Sequence, residues 1–297
     1  MSFYRQDPNM ALCLKDLIDR FEQEGRPNLH NNIAISWVKY NDSLPKQGSG
    51  FGAGWFENKL MYPASIVKIV YAVAIEKWIE KDLLIDSNEI RRALVSMITD
   101  SSNDATSFII DLLTGTRSGP SLNKKEWQNW KRQRETINDW LKSLNWPELK
   151  NVNCCQKTWE DGPYGIEKDF YGPNNENRNC LSSIGTARLL ESIMIDNSFL
   201  KSDARENLKK ALLRKLDLMN RKLNPENQID GFLGEGLPMN NLLWSKAGLM
   251  SEARHDAIWS SAPNGNPMLL VVFTEGKMLA KDRFLLPAIA NELNNFN

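Results

Sequence analysis

The sequence predicts an α/β fold of the α+β kind: one sheet contributed by both ends of the chain, flanked by helices, plus an all-helical lobe in the middle. Three observations carry this expectation. Strand patterns lie near the start, at 32–40, which contains the alternating run 33–39, and at 51–56, and again near the end, at 242–246, 255–260 and 268–273. Between those regions the apolar residues recur at helical spacing, at 65–79, 89–99, 103–113, 126–144, 184–195 and 203–216. Finally, 297 residues with 41% hydrophobic content suit one large domain or two interleaved lobes rather than separate modules. The expected division is an α/β lobe from 1–62 and 240–297, with a mostly helical lobe over 63–239.

In chain order, the first element is an amphipathic helix over 9–23, with Leu12, Leu14, Leu17, Ile18 and Phe21 at helical spacing. The two N-terminal strands follow, joined by a Gly- and Pro-containing turn region. The helical middle is interrupted at about 145–182, where the composition shifts to Asn, Pro, Gly and Trp. So long a stretch without periodicity is usually functional or disordered. After the C-terminal strands a helix over 281–293 closes the chain, and no internal repeat is visible.

Composition excludes several functions. Lys+Arg and Asp+Glu are both 37, so there is no electrostatic footprint for nucleic acid or an acidic membrane surface. The basic stretch 124–134, which carries Trp127 and Trp130, reads as a solvated helix face. No segment approaches the length of a membrane span, and the N-terminus lacks the pattern of a signal peptide, so a soluble, cytoplasmic protein is expected. Only His30 and His255 are present, which disfavours histidine-built metal hydrolysis. The four cysteines, Cys13, Cys154, Cys155 and Cys180, show no metal spacing, although Cys180 could pair with Cys154 or Cys155 in an oxidising compartment. No metal or cofactor is expected, and oligomeric state is not legible.

The most informative stretch is Tyr62-Pro63-Ala64-Ser65-Ile66-Val67-Lys68. Ser-x-x-Lys occurs five times, at Ser36/Lys39, Ser43/Lys46, Ser65/Lys68, Ser121/Lys124 and Ser198/Lys201. Ser36/Lys39 lies in a strand pattern, where positions i and i+3 face apart. The others fall in polar turns or between helical patterns. Only Ser65 opens a continuous apolar helix, where i and i+3 share a face and the helix N-terminus favours developing negative charge. That is what a nucleophilic serine with a lysine base requires. Two further clusters stand out. Ser101-Ser102-Asn103 lies at the junction of two helical patterns, and Trp244-Ser245-Lys246-Ala247-Gly248 ends a strand.

Together, Ser65-Ile66-Val67-Lys68, Ser101-Ser102-Asn103 and Lys246-Ala247-Gly248 resemble the serine β-lactamase and penicillin-binding protein family, which carries Ser-x-x-Lys, Ser-Asp-Asn and Lys-Thr-Gly in that order. The layout is similar to that of class A β-lactamases, and the resemblance covers nearly the whole chain. It implies an antiparallel β-lactamase-like sheet, a covalent acyl-enzyme, and a small-molecule or peptide substrate of the β-lactam or D-alanyl-peptide class. It also implies roles: Ser65 as nucleophile, Lys68 as base, and Ser101 as proton carrier to the leaving nitrogen. Asn103 would bind the substrate amide and Lys246 would supply positive charge. The oxyanion hole would be the N–H of Ser65 and of a residue just after Gly248, placed at Met250. Arg254 would meet a substrate carboxylate, the alternative being an ion pair with Asp256.

The chain also departs from the family pattern. Ala247 replaces the usual hydroxyl residue, which removes a hydrogen bond typically worth about 1.5–3 kcal/mol. No Glu-x-x-Leu-Asn pattern lies between Asn145 and Ser183. Of Glu148, Glu160, Glu167 and Glu176, Glu167 is assigned the water-activating role from its distance before the helix beginning near Ser183. Two other readings follow from these departures: a catalytically idle binding or scaffold protein of the same fold, and a glutaminase-like amidase. By resemblance, a periplasmic location is the alternative to a cytoplasmic one.

Overall fold

The computed structural model describes residues 3–196 and 198–296. A seven-stranded sheet runs in the order β1-β3-β2-β7-β6-β5-β4. Its strands are β1 (Arg5–Gln6), β2 (Ile33–Lys39), β3 (Phe51–Trp55), β4 (Leu213–Arg214), β5 (Leu242–Met250), β6 (Ala253–Ser261) and β7 (Met268–Glu275). Every pairing is antiparallel except β1 with β3, which is parallel.

The helices are α1 (Pro8–Gln23), α2 (Leu29–Asn32), α3 (Lys68–Glu80), α4 (Asn88–Thr99), α5 (Asn103–Thr114), α6 (Lys124–Arg134), α7 (Thr136–Ser143) and α8 (Gly165–Tyr171). They continue with α9 (Ser183–Met194), α10 (Ser202–Leu212), α11 (Leu218–Leu223), α12 (Lys277–Lys281) and α13 (Leu285–Asn294). Helix α1 starts where Asp7 caps the N–H groups of Asn9 and Met10 and Pro8 supplies a preset φ. Helix α5 starts at the Ser102 cap and ends at Gly115 in the left-handed conformation.

Two apolar clusters sandwich the sheet. One joins it to α1, α13 and the 3₁₀ turn Leu233–Gly236. The other joins it to α3, α4, α5, α9 and α10. Helix α3 is apolar on all sides, and ten of its thirteen residues are buried, so it threads the centre of the helical layer.

Four differences from the sequence reading have physical causes. Strand β5 continues through Ala247 and Gly248 to Met250, because Gly248 packs against the Pro63 carbonyl, where a Cβ would sit 3.0 Å from that oxygen. The helix expected over 203–216 ends at Leu212, and Leu213–Arg214 pairs with β5 instead. There the Arg214 guanidinium donates to the carbonyls of Ile98, Thr99 and Ser245. The sheet therefore draws one strand from the middle of the chain. The helix expected over 126–144 divides at Glu135 into α6 and α7. Within α6, Trp130 and Arg134 are buried, so this basic stretch is not simply a solvated face. The closing helix expected over 281–293 starts later, at Leu285, because the Asp282 side chain accepts from the N–H groups of Phe284 and Leu285, and a separate short helix, α12, precedes it.

The four cysteines are free thiols, and burial pushes that of Cys155 up to about 12. Among the described residues, no helix is long and apolar enough to cross a membrane.

Candidate active site

Ser65 lies in a 3₁₀ turn, Ala64–Val67, that runs directly into α3. In a 3₁₀ turn, residues i and i+3 eclipse, so Ser65 and Lys68 project to the same side. Ala64 has φ +46°, a region a residue with a Cβ rarely occupies, and it immediately precedes the serine. The turn is held from the sheet. His255 on β6 is buried, its Nδ1 accepts from the Thr274 N–H (3.0 Å), and so its Nε2–H donates to the Tyr62 carbonyl (2.8 Å). Burial lowers the pKa of His255 to about 4, which keeps the ring neutral in this role.

The two amines meet at Ser101, in the turn between α4 and α5, where Ser101 itself has φ +59°. Lys68 Nζ donates to the Ser101 carbonyl, to Ser101 Oγ (3.2 Å) and to Asn103 Oδ1 (2.8 Å). Lys246 Nζ donates to the same Ser101 Oγ (3.0 Å), to Gln228 Oε1 (2.6 Å) and to the Ala247 carbonyl (2.8 Å). Both lysines are fully buried. Desolvation brings the Lys68 pKa down to about 7, opposed by the negative charge of Glu160. Lys246 lies well below the usual lysine range, from burial first and then from the charges of Lys68 and Arg214, with Asp256 opposing.

An amine that is part neutral near pH 7, bonded to a hydroxyl that also faces a second amine, makes a proton path. The Ser101 hydroxyl can give its proton on one side while accepting on the other. Ser65 Oγ is not among the hydrogen-bond partners of Lys68 in the described residues; the two share a face without a direct bond.

Residues outside the three motifs complete the cluster. The Gln228 side chain accepts from Lys246 Nζ and from the Ala247 N–H (3.1 Å), and donates to the Thr99 carbonyl (2.8 Å). It therefore ties β5 to the end of α4. Nothing local in Asn224-Pro225-Glu226-Asn227-Gln228 announces this, since the segment reads only as a turn. Arg214 is similarly long-range, and burial lowers its pKa to about 10.

The remaining sequence-derived site residues fall as follows. Ala247 is buried on the sheet face opposite Lys246, with its N–H taken by Gln228. Gly248 lies against Pro63 and Ala64. Met250 needs correction. The Ala247 N–H points away from β6, and backbone N–H groups on one edge recur every second residue. The N–H of Leu249 therefore faces the free edge beside the Ser65 turn, whereas that of Met250 turns toward β6, where Met250 pairs with Ala253.

Arg254 is also corrected. It lies on the face away from Lys246, over the Phe232 ring, donating to the Ala280 (2.9 Å) and Gly231 (3.1 Å) carbonyls. It pairs neither with the amine cluster nor with Asp256, whose carboxylate accepts from the N–H groups of Leu233 and Ala257.

Glu167 is the third correction. It is fully buried, bound by both its oxygens to Arg134 (2.7 and 2.8 Å) and by Ser118 Oγ (2.8 Å), with Lys157 at 3.6 Å. Its lone pairs are committed to a structural ion pair. The carboxylate whose charge reaches Lys68 is Glu160, which is exposed on the irregular segment. Its sequence signal was only its presence on that segment. Beyond Met250, a cavity of about 960 Å³ opens between Tyr62 and the 156–179 segment.

The fold and this cleft define a serine hydrolase acting on amide bonds. The chain belongs to the β-lactamase enzyme family, whose model matches residues 85–296. The match takes in Ser101, Asn103 and Lys246 and begins after Ser65. Among solved structures, a β-lactamase from Chitinophaga pinensis aligns with a TM-score of 0.63 and 14% identity, over 95% of this chain and 99% of its own. PBP-A aligns with a TM-score of 0.59 and 15% identity, over 95% and 97%. A variant of the last common ancestor of Gram-negative class A β-lactamases gives 0.60 and 15%, over 95% of each chain. At such identities the alignments speak for the fold. A comparison with curated proteins returns no match.

Proposed function

We propose that Ser65 is the nucleophile of an acyl-transfer reaction on a β-lactam or D-alanyl-peptide-like amide. In the acylation step Lys68, in its neutral form, takes the Ser65 hydroxyl proton as Oγ bonds to the carbonyl carbon. The oxyanion is met by the N–H groups of Ser65 and Leu249. The C–N bond then breaks, and the departing nitrogen receives the Ser101 proton, which is replaced from the lysine side. Lys246 holds the Ser101 hydroxyl by donating to its oxygen, while Asn103 orients Lys68 and offers its side-chain amide to the substrate. Hydrolysis of the ester requires a base for water, and the candidate is Glu160, an exposed carboxylate on the irregular segment whose negative charge favours the ammonium form of Lys68.

One observation carries the reading: two buried amines, from α3 and β5, converge on the single hydroxyl of Ser101. A mutant of PBP-A is known as its acyl-enzyme with penicillin G, which makes a penicillin the first probe to use. Incubation with a fluorescent penicillin is expected to add the mass of one probe molecule to the intact protein, with no gain in Ser65→Ala. Labelling that persists in Ser65→Ala would remove this residue from the mechanism.

A further inference from the structure

One corner of the cleft is already filled by the protein itself. Lys68 and Lys246 are fully buried, whereas Ser65, Ser101 and Gln228 are half-buried and Leu249 is exposed. A substrate therefore meets Gln228 before it can reach Lys246. The Gln228 side-chain oxygen accepts from Lys246 Nζ (2.6 Å) and from the Ala247 N–H (3.1 Å), and its side-chain nitrogen donates to the carbonyls of Thr99 (2.8 Å) and Ile98 (3.3 Å). All four contacts fix which way the amide points. Turned over, it would set its nitrogen against two donors and its oxygen against two carbonyls.

The place of this corner in the reaction follows from β5. On the acyl-transfer reading, the substrate oxygen is met at the Leu249 N–H and the leaving atom takes its proton from Ser101. The Ala247 N–H lies on the same edge of β5, about 7 Å before that of Leu249. Lys246 Nζ is 3.0 Å from Ser101 Oγ. A leaving group thus runs from the Ser65 turn toward Ala247, and its first substituent arrives at the Gln228 side chain.

The donors there are engaged. Lys246 Nζ donates to Ser101 Oγ, Gln228 Oε1 and the Ala247 carbonyl, and the Ala247 N–H goes to Gln228. Two nearby arginines do not replace them. Arg254 lies on the far face of the sheet, and the terminal nitrogens of Arg214 donate to the carbonyls of Ile98, Thr99 and Ser245. Burial also holds Lys246 well below the usual lysine range, which weakens the positive charge behind Gln228. A carboxylate only accepts hydrogen bonds and sheds water on entering, so it needs donors that this corner has already used.

We propose that Gln228 is a specificity-determining residue: it fills the leaving-group corner, so that the site takes amides and esters with an uncharged leaving group and discriminates against those whose leaving group bears a carboxylate. The proposal rests on the acyl-transfer reading of Ser65 and narrows its substrate class. A penicillin carries such a carboxylate beside its lactam nitrogen, so it should label Ser65 slowly and need long incubation.

The test compares two thioesters of acetyl-D-alanine, one releasing mercaptoacetate and the other mercaptoacetamide. Acylation joins Ser65 Oγ to the carbonyl carbon, breaks the C–S bond and releases the thiol with the Ser101 proton. Each kcat/KM is divided by the rate at which hydroxylamine cleaves the same thioester, which removes the intrinsic difference between the thiols. In the wild type the normalised ratio is expected to favour the carboxamide about tenfold or more, the effect of one charge-assisted hydrogen bond left unmade. Gln228→Ala empties the corner and frees the Lys246 and Ala247 hydrogens, so the ratio should swing toward the carboxylate by about ten- to a hundredfold. Gln228→Ser empties it too and takes over the test if Gln228→Ala does not fold. Gln228→Met loses the same hydrogen bonds but keeps the corner filled, and its ratio should stay on the carboxamide side. No preference in the wild type overturns the proposal. So does a ratio unmoved in the emptied variants, or one that swings equally in Gln228→Met, since the cause would then be the loosened tie to α4.

If neither thioester acylates Ser65, the catalytic reading fails by itself. Calorimetry with acetyl-D-alanylglycine then decides the corner: binding to Gln228→Ala about tenfold tighter than to the wild type upholds the proposal, the effect of one charge-assisted hydrogen bond regained. The same affinity in both proteins, or binding to neither, overturns it.

Discussion

Glu160 and Glu167 lie seven residues apart on one segment, and the proposed reaction gives them opposite kinds of work. Glu167→Gln should leave the fully buried Arg134 guanidinium without its two-point partner. Removing one member of a buried pair costs about 3–5 kcal/mol. A chain of 297 residues has an unfolding entropy of about 0.6 kcal/mol/K, so the melting temperature should fall by about 5–8 °C. Acylation and turnover below the melting range should stay within about twofold, because Glu167 is enclosed among Arg134, Ser118 and Lys157. Glu160→Gln should do the reverse. The side chain is exposed, so stability changes by about 0.5 kcal/mol or less. Loss of a general base typically slows its step about 10²–10⁴-fold, so a penicilloyl adduct should accumulate. The paired assay is calorimetric melting with time-resolved intact mass spectrometry of the penicillin adduct. A Glu167→Gln protein of unchanged stability whose adduct persists, beside a Glu160→Gln protein that turns over normally, would refute the reasoning.

Other expectations follow from the same groups. Lys68 acts as a base only when neutral, and burial brings its pKa to about 7, so the acylation rate should climb with pH through that value and level off above it. The midpoint should move lower in Glu160→Gln, since the glutamate charge holds the ammonium on; stopped-flow acylation independent of pH from 5 to 9 would exclude Lys68 as the base. His255 stays neutral in the folded protein down to about 4, whereas an unfolded chain takes up that proton near 6.5. The unfolded state then binds more protons across that window, so stability rises with pH between those values, by about 3 kcal/mol in all. Urea unfolding should show this dependence reduced in His255→Gln. Asp256 and Glu191, both raised to about 7 by burial, act in the opposite direction in both proteins and cancel in the comparison. Identical pH profiles for the two proteins would remove His255 from the account.

Much of the fold was legible because its signals are local. Short strand-like runs bounded by turn residues located β2, β3, β6 and β7, and caps such as Ser102 marked where α5 begins. The extent of β5 was not legible, because a glycine in a short strand reads as a turn unless the chain packed against it is known. The same held for β4, where Arg214 finds its partners at Ile98 and Thr99, more than a hundred residues earlier.

In the cleft, Lys68, Ser101, Asn103 and Lys246 were identifiable as residue types at telling positions, and they do gather. Leu249 could not be told from Met250, because that choice depends on which edge of β5 lacks a neighbour. Choosing between Glu160 and Glu167 required knowing which carboxylate the fold encloses. Gln228 lacked any local mark, since a glutamine in a turn is unremarkable until its four partners arrive from elsewhere.

The placement of α3 has a consequence for how such a protein can change. The alcohol and its amine are anchored at the start of α3, a largely buried helix, braced by a neutral imidazole and a glycine contact from the sheet. The carboxylate that would release the ester stands on an open segment with few constraints. Sequence drift can therefore lengthen or shorten the lifetime of the covalent intermediate while leaving its rate of formation nearly untouched. On one scaffold, a trap and a turnover enzyme would be separated by a few surface substitutions.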